Sequence, residues 1–178
     1  MSTWIDETLS FTPLTIAVLT ISDTRKPLDD RSGDILVENL QKSGHVLAER
    51  AIVRDEIDDI RAQVTKWAMD DSIQIIITTG GTGFTGRDIT PEAIEPLFDK
   101  RMDGFSTLFH MVSFGTIGSV TVQSRAVAGL INATFVFCLP GSPGACKDAW
   151  KGILQGQLDS RQKPSNFVDL MPRLKEHL

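Results

Sequence analysis

Short β-branched runs alternate along the chain with stretches whose apolar residues recur every three or four positions. Residues 14–21, Leu-Thr-Ile-Ala-Val-Leu-Thr-Ile, are too few for a stable helix and apolar on both faces, which predicts a buried strand. Ser32 is expected to cap a helix that carries Ile35, Leu36 and Leu40 and stops at Gly44. Residues 45–53 read as a second strand. Ile57, Ile60, Val64, Trp67 and Ala68 then share one face of a helix. Residues 73–79 form the clearest strand and run straight into Gly80-Gly-Thr-Gly83. Thr90-Pro91 predicts a capped helix start, with Ile94, Leu97 and Phe98 on its apolar face. A further helix is expected over 106–114, and residues 119–130 fit a strand or a short helix equally. A last buried strand over 133–139 leads to Ser142-Pro143, which repeats the cap-plus-proline opening before a helix through Ala149, Trp150 and Ile153. The tail after Arg161 reads as irregular.

Strands alternating with crossover helices predict a three-layer, doubly wound α/β domain: one mainly parallel sheet with helices on both faces. A single domain over residues 1–178 is expected, with its core at about 13–158. In such sheets ligands bind outside the carboxyl ends of the strands. Ser22-Asp23, Asp55, the Gly80–Gly83 loop and Pro140-Gly-Ser142 all fall at such ends. The chemically suggestive segments therefore converge on one edge of the sheet.

Composition narrows the classes. Of 178 residues, 41% are apolar and 23% charged, as in ordinary globular chains, and 18 basic against 23 acidic residues give a net charge of −5. That balance speaks against general affinity for nucleic acid or anionic lipid, so neither nucleic acid nor a membrane is expected as a partner. Cys138 and Cys146 lack metal-ligand spacing. Acids near the start stand where a signal peptide carries lysines, and no apolar run reaches the length of a membrane helix, so a cytoplasmic location is expected.

Four glycines interleaved with Thr82 and Thr85 after a buried strand suit either a chain-reversing turn or a backbone cradle for phosphate. Gly81-x-Gly-x-x-Gly86 matches the dinucleotide fingerprint in letters only, because it follows the third strand and Arg87-Asp88 intervene before the helix. No Walker lysine is present. Asp88 at a helix start and Asp55 after the second strand could each be a dipole or loop carboxylate. Together, beside a phosphate loop, they suggest a shared Mg²⁺. Asp23, Asp29 and Asp30 read as solvated loop acids, with Asp23 the best placed. No histidine falls at a predicted strand end beside the loop, so no nucleophile–base triad is expected; a substrate phosphate could itself attack.

Thr78-Thr-Gly-Gly-Thr-Gly83 followed by Arg87-Asp-Ile-Thr-Pro-Glu-Ala93 resembles the signature of the MoaB/MogA family of molybdenum cofactor biosynthesis. Ser22-Asp23, Asp30-Arg-Ser-Gly33, Gly104-Phe105, Gln123-Ser-Arg-Ala-Val-Ala-Gly129 and Leu139-Pro-Gly-Ser-Pro-Gly144 match in the same order, over about 13–158. The wording of the 123–129 segment looks most like the MoaB branch. The resemblance implies a trimer or hexamer and a molybdopterin adenylyltransferase, in which the terminal phosphate of molybdopterin attacks the α-phosphate of Mg-ATP and pyrophosphate leaves. It implies Asp55 and Asp88 as the essential, metal-holding acids and Gly80, Gly81, Thr82 and Gly83 around the nucleotide phosphates. Ser113 and Ser124 would lie in pterin-binding segments, and Ser22, Asp23, Pro140, Gly141 and Ser142 would complete the wall. The alternative is a non-catalytic molybdopterin carrier or assembly partner in the same pathway, working beside other proteins of that pathway.

Overall fold

The computed structural model describes residues 4–176. Six strands form the main sheet: β2 (Thr15–Ile21), β3 (Val46–Val53), β4 (Ile75–Thr79), β5 (Lys100–Arg101), β6 (Val127–Ile131) and β7 (Thr134–Leu139), in the order β3-β2-β4-β7-β6-β5. The four strands from β3 to β7 in that order are parallel, while β6 and β5 close the far side in antiparallel pairing. This is the mainly parallel sheet that the alternating pattern predicts.

The central strands are apolar on both faces because helices cover both. Ile16, Val18, Ile75, Ile77, Phe135 and Phe137 point into one core layer, with α1 (Arg31–Lys42), α4 (Asp103–Ile117) and α5 (Pro143–Ala149). Ala17, Leu19, Ile21, Ile76, Val136 and Cys138 point the other way, onto α2 (Ile57–Ala68) and α3 (Thr90–Ile94). The period-2 alternation thus sorts each strand into two cores.

Helix starts differ from expectation in two places. Asp30, not Ser32, caps α1: its carboxylate accepts the Gly33 N–H at 3.0 Å. Thr90 is the first residue of α3 rather than its cap, and its hydroxyl instead donates to the Gly80 carbonyl at 2.8 Å. Ser142 does cap α5, accepting the Ala145 N–H at 3.1 Å.

The ambiguous segment resolves into both alternatives. Residues Gly118–Gln123 make a 3₁₀ helix and Val127–Ile131 make β6. A two-residue turn, Asn132-Ala133, with φ of 48° and 64°, joins β6 to β7 as a hairpin. With those 3₁₀ turns, α4 extends to a 21-residue helical segment, Asp103–Gln123, long and apolar enough to cross a membrane by length and composition. The separate apolar runs hid this length. Phe105 and Phe109 anchor the segment in the core, and Leu108, Met111, Phe114 and Ile117 are exposed on its other side.

The tail is more ordered than its sequence suggests. β8 (Gln162–Lys163) pairs with β1 (Trp4–Ile5), and Phe167 packs on Phe135 and Phe137 with ring centroids 4.9 and 5.7 Å away. Its aromatic and amide side chains act singly, without the periodicity that marks a longer element.

Candidate functional site

Parallel register aligns the strand ends: Ile21 pairs with Val53, Thr20 with Thr79, and Thr79 with Leu139. The loops beyond them surround a cleft of about 290 Å³, lined among others by Ser22, Arg25, Asp55, Gly80, Gly81, Arg87, Asp88 and Gly141. Its position is the one that open parallel sheets offer a ligand.

The floor is made by close backbone approach. Gly80 (φ 112°) lies so near the Ile21 carbonyl that a Cβ there would collide with it. Gly81 (φ 64°) adopts a conformation costly for other residues, and a Cβ would strike the Thr90 hydroxyl and come within 3.0 Å of an Asp55 oxygen. A Cβ on Gly141 would lie 3.1 Å from the Gly80 Cα. Side chains at these positions would fill the cleft or its floor.

Asp55 and Asp23 are tied together. The Asp55 carboxylate accepts the Asp23 N–H at 2.8 Å, and the Asp23 carboxylate accepts the Asp55 N–H at 3.3 Å. Arg87 reaches over with two hydrogen bonds to Asp23, at 2.8 and 3.0 Å, and one to Glu56 at 2.8 Å. Burial pushes the Asp55 carboxyl above its usual range; the Asp23 N–H and Arg87 pull the other way, and the negative charges of Asp23 and Asp88 add to the rise. Asp88 behaves oppositely. Partial burial pulls it up, but the Thr85 N–H at 2.9 Å and the Thr85 hydroxyl at 2.5 Å, with the Gly83 N–H, hold it below the usual range.

Asp30 overturns the expectation of a solvated loop acid. It is 1% exposed and accepts from Thr20, Gly33 and Arg50, the last at 2.8 Å. Burial raises this carboxyl and those three donors more than compensate, so it stays ionised beneath the cleft.

The remaining sequence-selected residues fall in three groups. Asp23, Pro140 and Ser142 adjoin the cleft: the Pro140 carbonyl accepts the Thr79 hydroxyl at 3.0 Å, and Ser142 is committed to capping α5. Thr82 is buried behind the loop and Gly83 continues it, its Cα so close that a Cβ would sit 2.8 Å from Asp88 Oδ2. Ser113 is buried on α4, and Ser124 follows the 3₁₀ helix; neither lines the cleft. Sequence reasoning passed over Arg25 and Arg87 on the rim, and Arg125 behind the loop. The 87–93 motif contained Arg87, but isolated arginines carry no pattern that separates them from surface charge.

With this geometry in place, comparison with known proteins is decisive. The model described as "Probable molybdopterin binding domain" matches residues 17–160. This chain belongs to that family, in its MoaB branch. Molybdenum cofactor biosynthesis protein B of Escherichia coli (strain K12) is 47% identical over 166 residues, covering 93% of this chain and 96% of the relative. The protein of the same name from Bacillus subtilis (strain 168) is 42% identical over 142 residues, covering 79% and 84%. A crystal structure of a molybdenum cofactor biosynthesis protein B superposes with a TM-score of 0.81 at 37% identity, covering 84% of this chain and 94% of that one. The MoaB α/β fold and the MoaB sequence motifs coincide in one molecule.

Proposed function

We propose that this MoaB-family chain acts in molybdenum cofactor biosynthesis by binding molybdopterin and adenylylating it with Mg-ATP. One observation carries the catalytic part: buried Asp55, crowded by Asp23 and Asp88, lies against the bare Gly80-Gly81 backbone, and all of them but Asp23 line the same cleft. A carboxylate held in like-charged surroundings gains most from a cation beside it.

The donor set fits Mg²⁺, which takes oxygen ligands and prefers one or two carboxylates with substrate phosphates. Asp55 and Asp88 would hold it, and it would supply neutralising charge to the phosphates. The Gly80–Gly83 backbone would run beside the nucleotide phosphates, with Thr82 buried behind it. Arg25 and Arg87 offer positive charge on the rim, and Ser22, Asp23, Pro140, Gly141 and Ser142 form the wall on which the pterin phosphate is oriented. Ser113 and Ser124 belong to segments proposed to meet the pterin itself. In the reaction a terminal phosphate oxygen of molybdopterin bonds to the α-phosphorus of ATP. The bond to the β-phosphate oxygen breaks, and pyrophosphate leaves with the electron pair. The chain contributes position and charge, the two effects on which phosphoryl-type transfers chiefly depend. We also propose self-association through the exposed apolar side of α4.

The test is pyrophosphate release from Mg-ATP with purified molybdopterin, in wild type and in Asp88→Asn. The substitution keeps an acceptor for Thr85 and removes the charge. Release should slow by about a hundredfold, which is about 2.8 kcal/mol of transition-state stabilisation. A folded variant turning over at the wild-type rate removes Asp88 from the mechanism. A wild-type protein that binds molybdopterin and never releases pyrophosphate is a carrier.

A further inference from the structure

Arg125 stands outside the cleft, between the 3₁₀ helix and β6, yet its contacts concentrate on one loop. Its N–H donates to the Thr82 carbonyl at 2.9 Å. Its guanidinium donates through Nε to the Gly83 carbonyl at 2.8 Å and through Nη2 to the Asp88 carbonyl at 2.7 Å, and Nη1 pairs with Glu92 on α3. The guanidinium carbon lies 5.3 Å from the centre of the exposed Phe84 ring, within cation–π range.

The guanidinium fork therefore grips both ends of the 83–88 turn. Between those ends the residues are largely exposed, and the turn's inner hydrogen bonds all centre on Asp88: its carboxylate accepts from the Thr85 N–H and hydroxyl and from the Gly83 N–H, and its own N–H donates to the Thr85 carbonyl at 3.0 Å. The opposite margin is tethered by Arg87, which reaches to Asp23 and Glu56. Without Arg125 the Gly83 and Asp88 carbonyls would lose charged, partly buried donors, each worth more than a neutral hydrogen bond. A lysine could restore the charge opposite Glu92, but not two parallel N–H bonds of fixed spacing.

We propose that Arg125 is a positioning residue: it holds the 83–88 turn so that Asp88 stays at the cleft, and it does so without touching substrate. The positioning of nucleotide rests on the adenylyltransferase reading; the ordering of the turn does not. Arg125 also ties the 123–129 segment to the glycine loop by hydrogen bonds to Thr82, Gly83 and Asp88, so two stretches far apart in sequence meet there.

Amide hydrogen exchange and Mg-ATP titration on the full chain separate these points. Arg125→Lys should raise exchange of amides 83–88 by about tenfold or more, leave α1 and β2 protected as in wild type, and weaken Mg-ATP binding by about tenfold. Arg125→Ala should do more of both, and Glu92→Gln, which spares the two carbonyl bonds, should do much less. A folded Arg125→Lys protein with wild-type exchange across 83–88 overturns the clamp. Faster exchange with unchanged Mg-ATP affinity overturns the positioning role alone. A wild type that binds no Mg-ATP overturns the nucleotide reading, and the exchange result then still decides the clamp.

Discussion

Asp23 and Asp55 each accept the other's main-chain N–H, at 3.3 and 2.8 Å, so two acids clasp the ends of neighbouring parallel strands. The clasp keeps Asp55 facing the cleft although burial and two like charges disfavour its ionised form. A raised folded pKa means that stability is lost as pH rises through that value, and an amide escapes the loss. Asp55→Asn is therefore expected to stabilise the metal-free protein at neutral pH by about 0.5–1 kcal/mol while abolishing adenylylation. Urea melts without Mg²⁺ check the first part. A variant that melts earlier than wild type contradicts this account.

Gly81→Val tests the floor. Its φ of 64° and the Thr90 hydroxyl leave no place for a branched side chain, and the strain is about 1–3 kcal/mol. Mg-ATP affinity should fall steeply in a protein whose far-ultraviolet circular dichroism is unchanged. Undiminished affinity would show that phosphate does not approach this turn.

Asp30 predicts an acid limb in the stability profile. Its pKa is depressed, so its stabilisation is complete above the ordinary carboxylate value and is lost as pH falls from there through the folded one. Asp30→Asn should cost about 2–3 kcal/mol at pH 7, because Arg50 keeps some solvent while the cap and the buried pair are weakened. The wild-type and variant melting curves should converge below about pH 4. Parallel curves across that range would assign the cost to packing alone.

The α4 side that exposes Leu108, Met111, Phe114 and Ile117 predicts self-association. Light scattering should give a multiple of 19.6 kDa for wild type and a smaller species for Met111→Glu/Phe114→Glu. A wild-type monomer at micromolar concentration refutes it.

Much of the cleft was legible because strand ends are local events. Apolar runs such as Ile75–Thr79 stop where glycine or a charge begins, and parallel topology carries every such stop to one edge. Asp30 was misread because a buried acid and a solvated one look alike until its partners, Thr20 and Arg50, are folded onto it. Arg87 and Arg125 escaped for a related reason: their acceptors are carbonyls and carboxylates up to 64 residues away, which no periodicity encodes. The antiparallel β6 depended on a two-residue turn with alanine at positive φ, a residue that advertises no turn.

Both cysteines are fully buried, and burial pushes the Cys138 thiol up to about 12 and the Cys146 thiol up to about 11. Neither forms an appreciable thiolate at neutral pH, so maleimide chemistry should pass over the native chain. Gly86→Cys would then supply the one reactive handle, at an exposed position in the turn that Arg125 grips, where an added Cβ meets nothing within 4 Å. A fluorophore there would read opening and closing of that turn directly, without first engineering away the natural sulfurs.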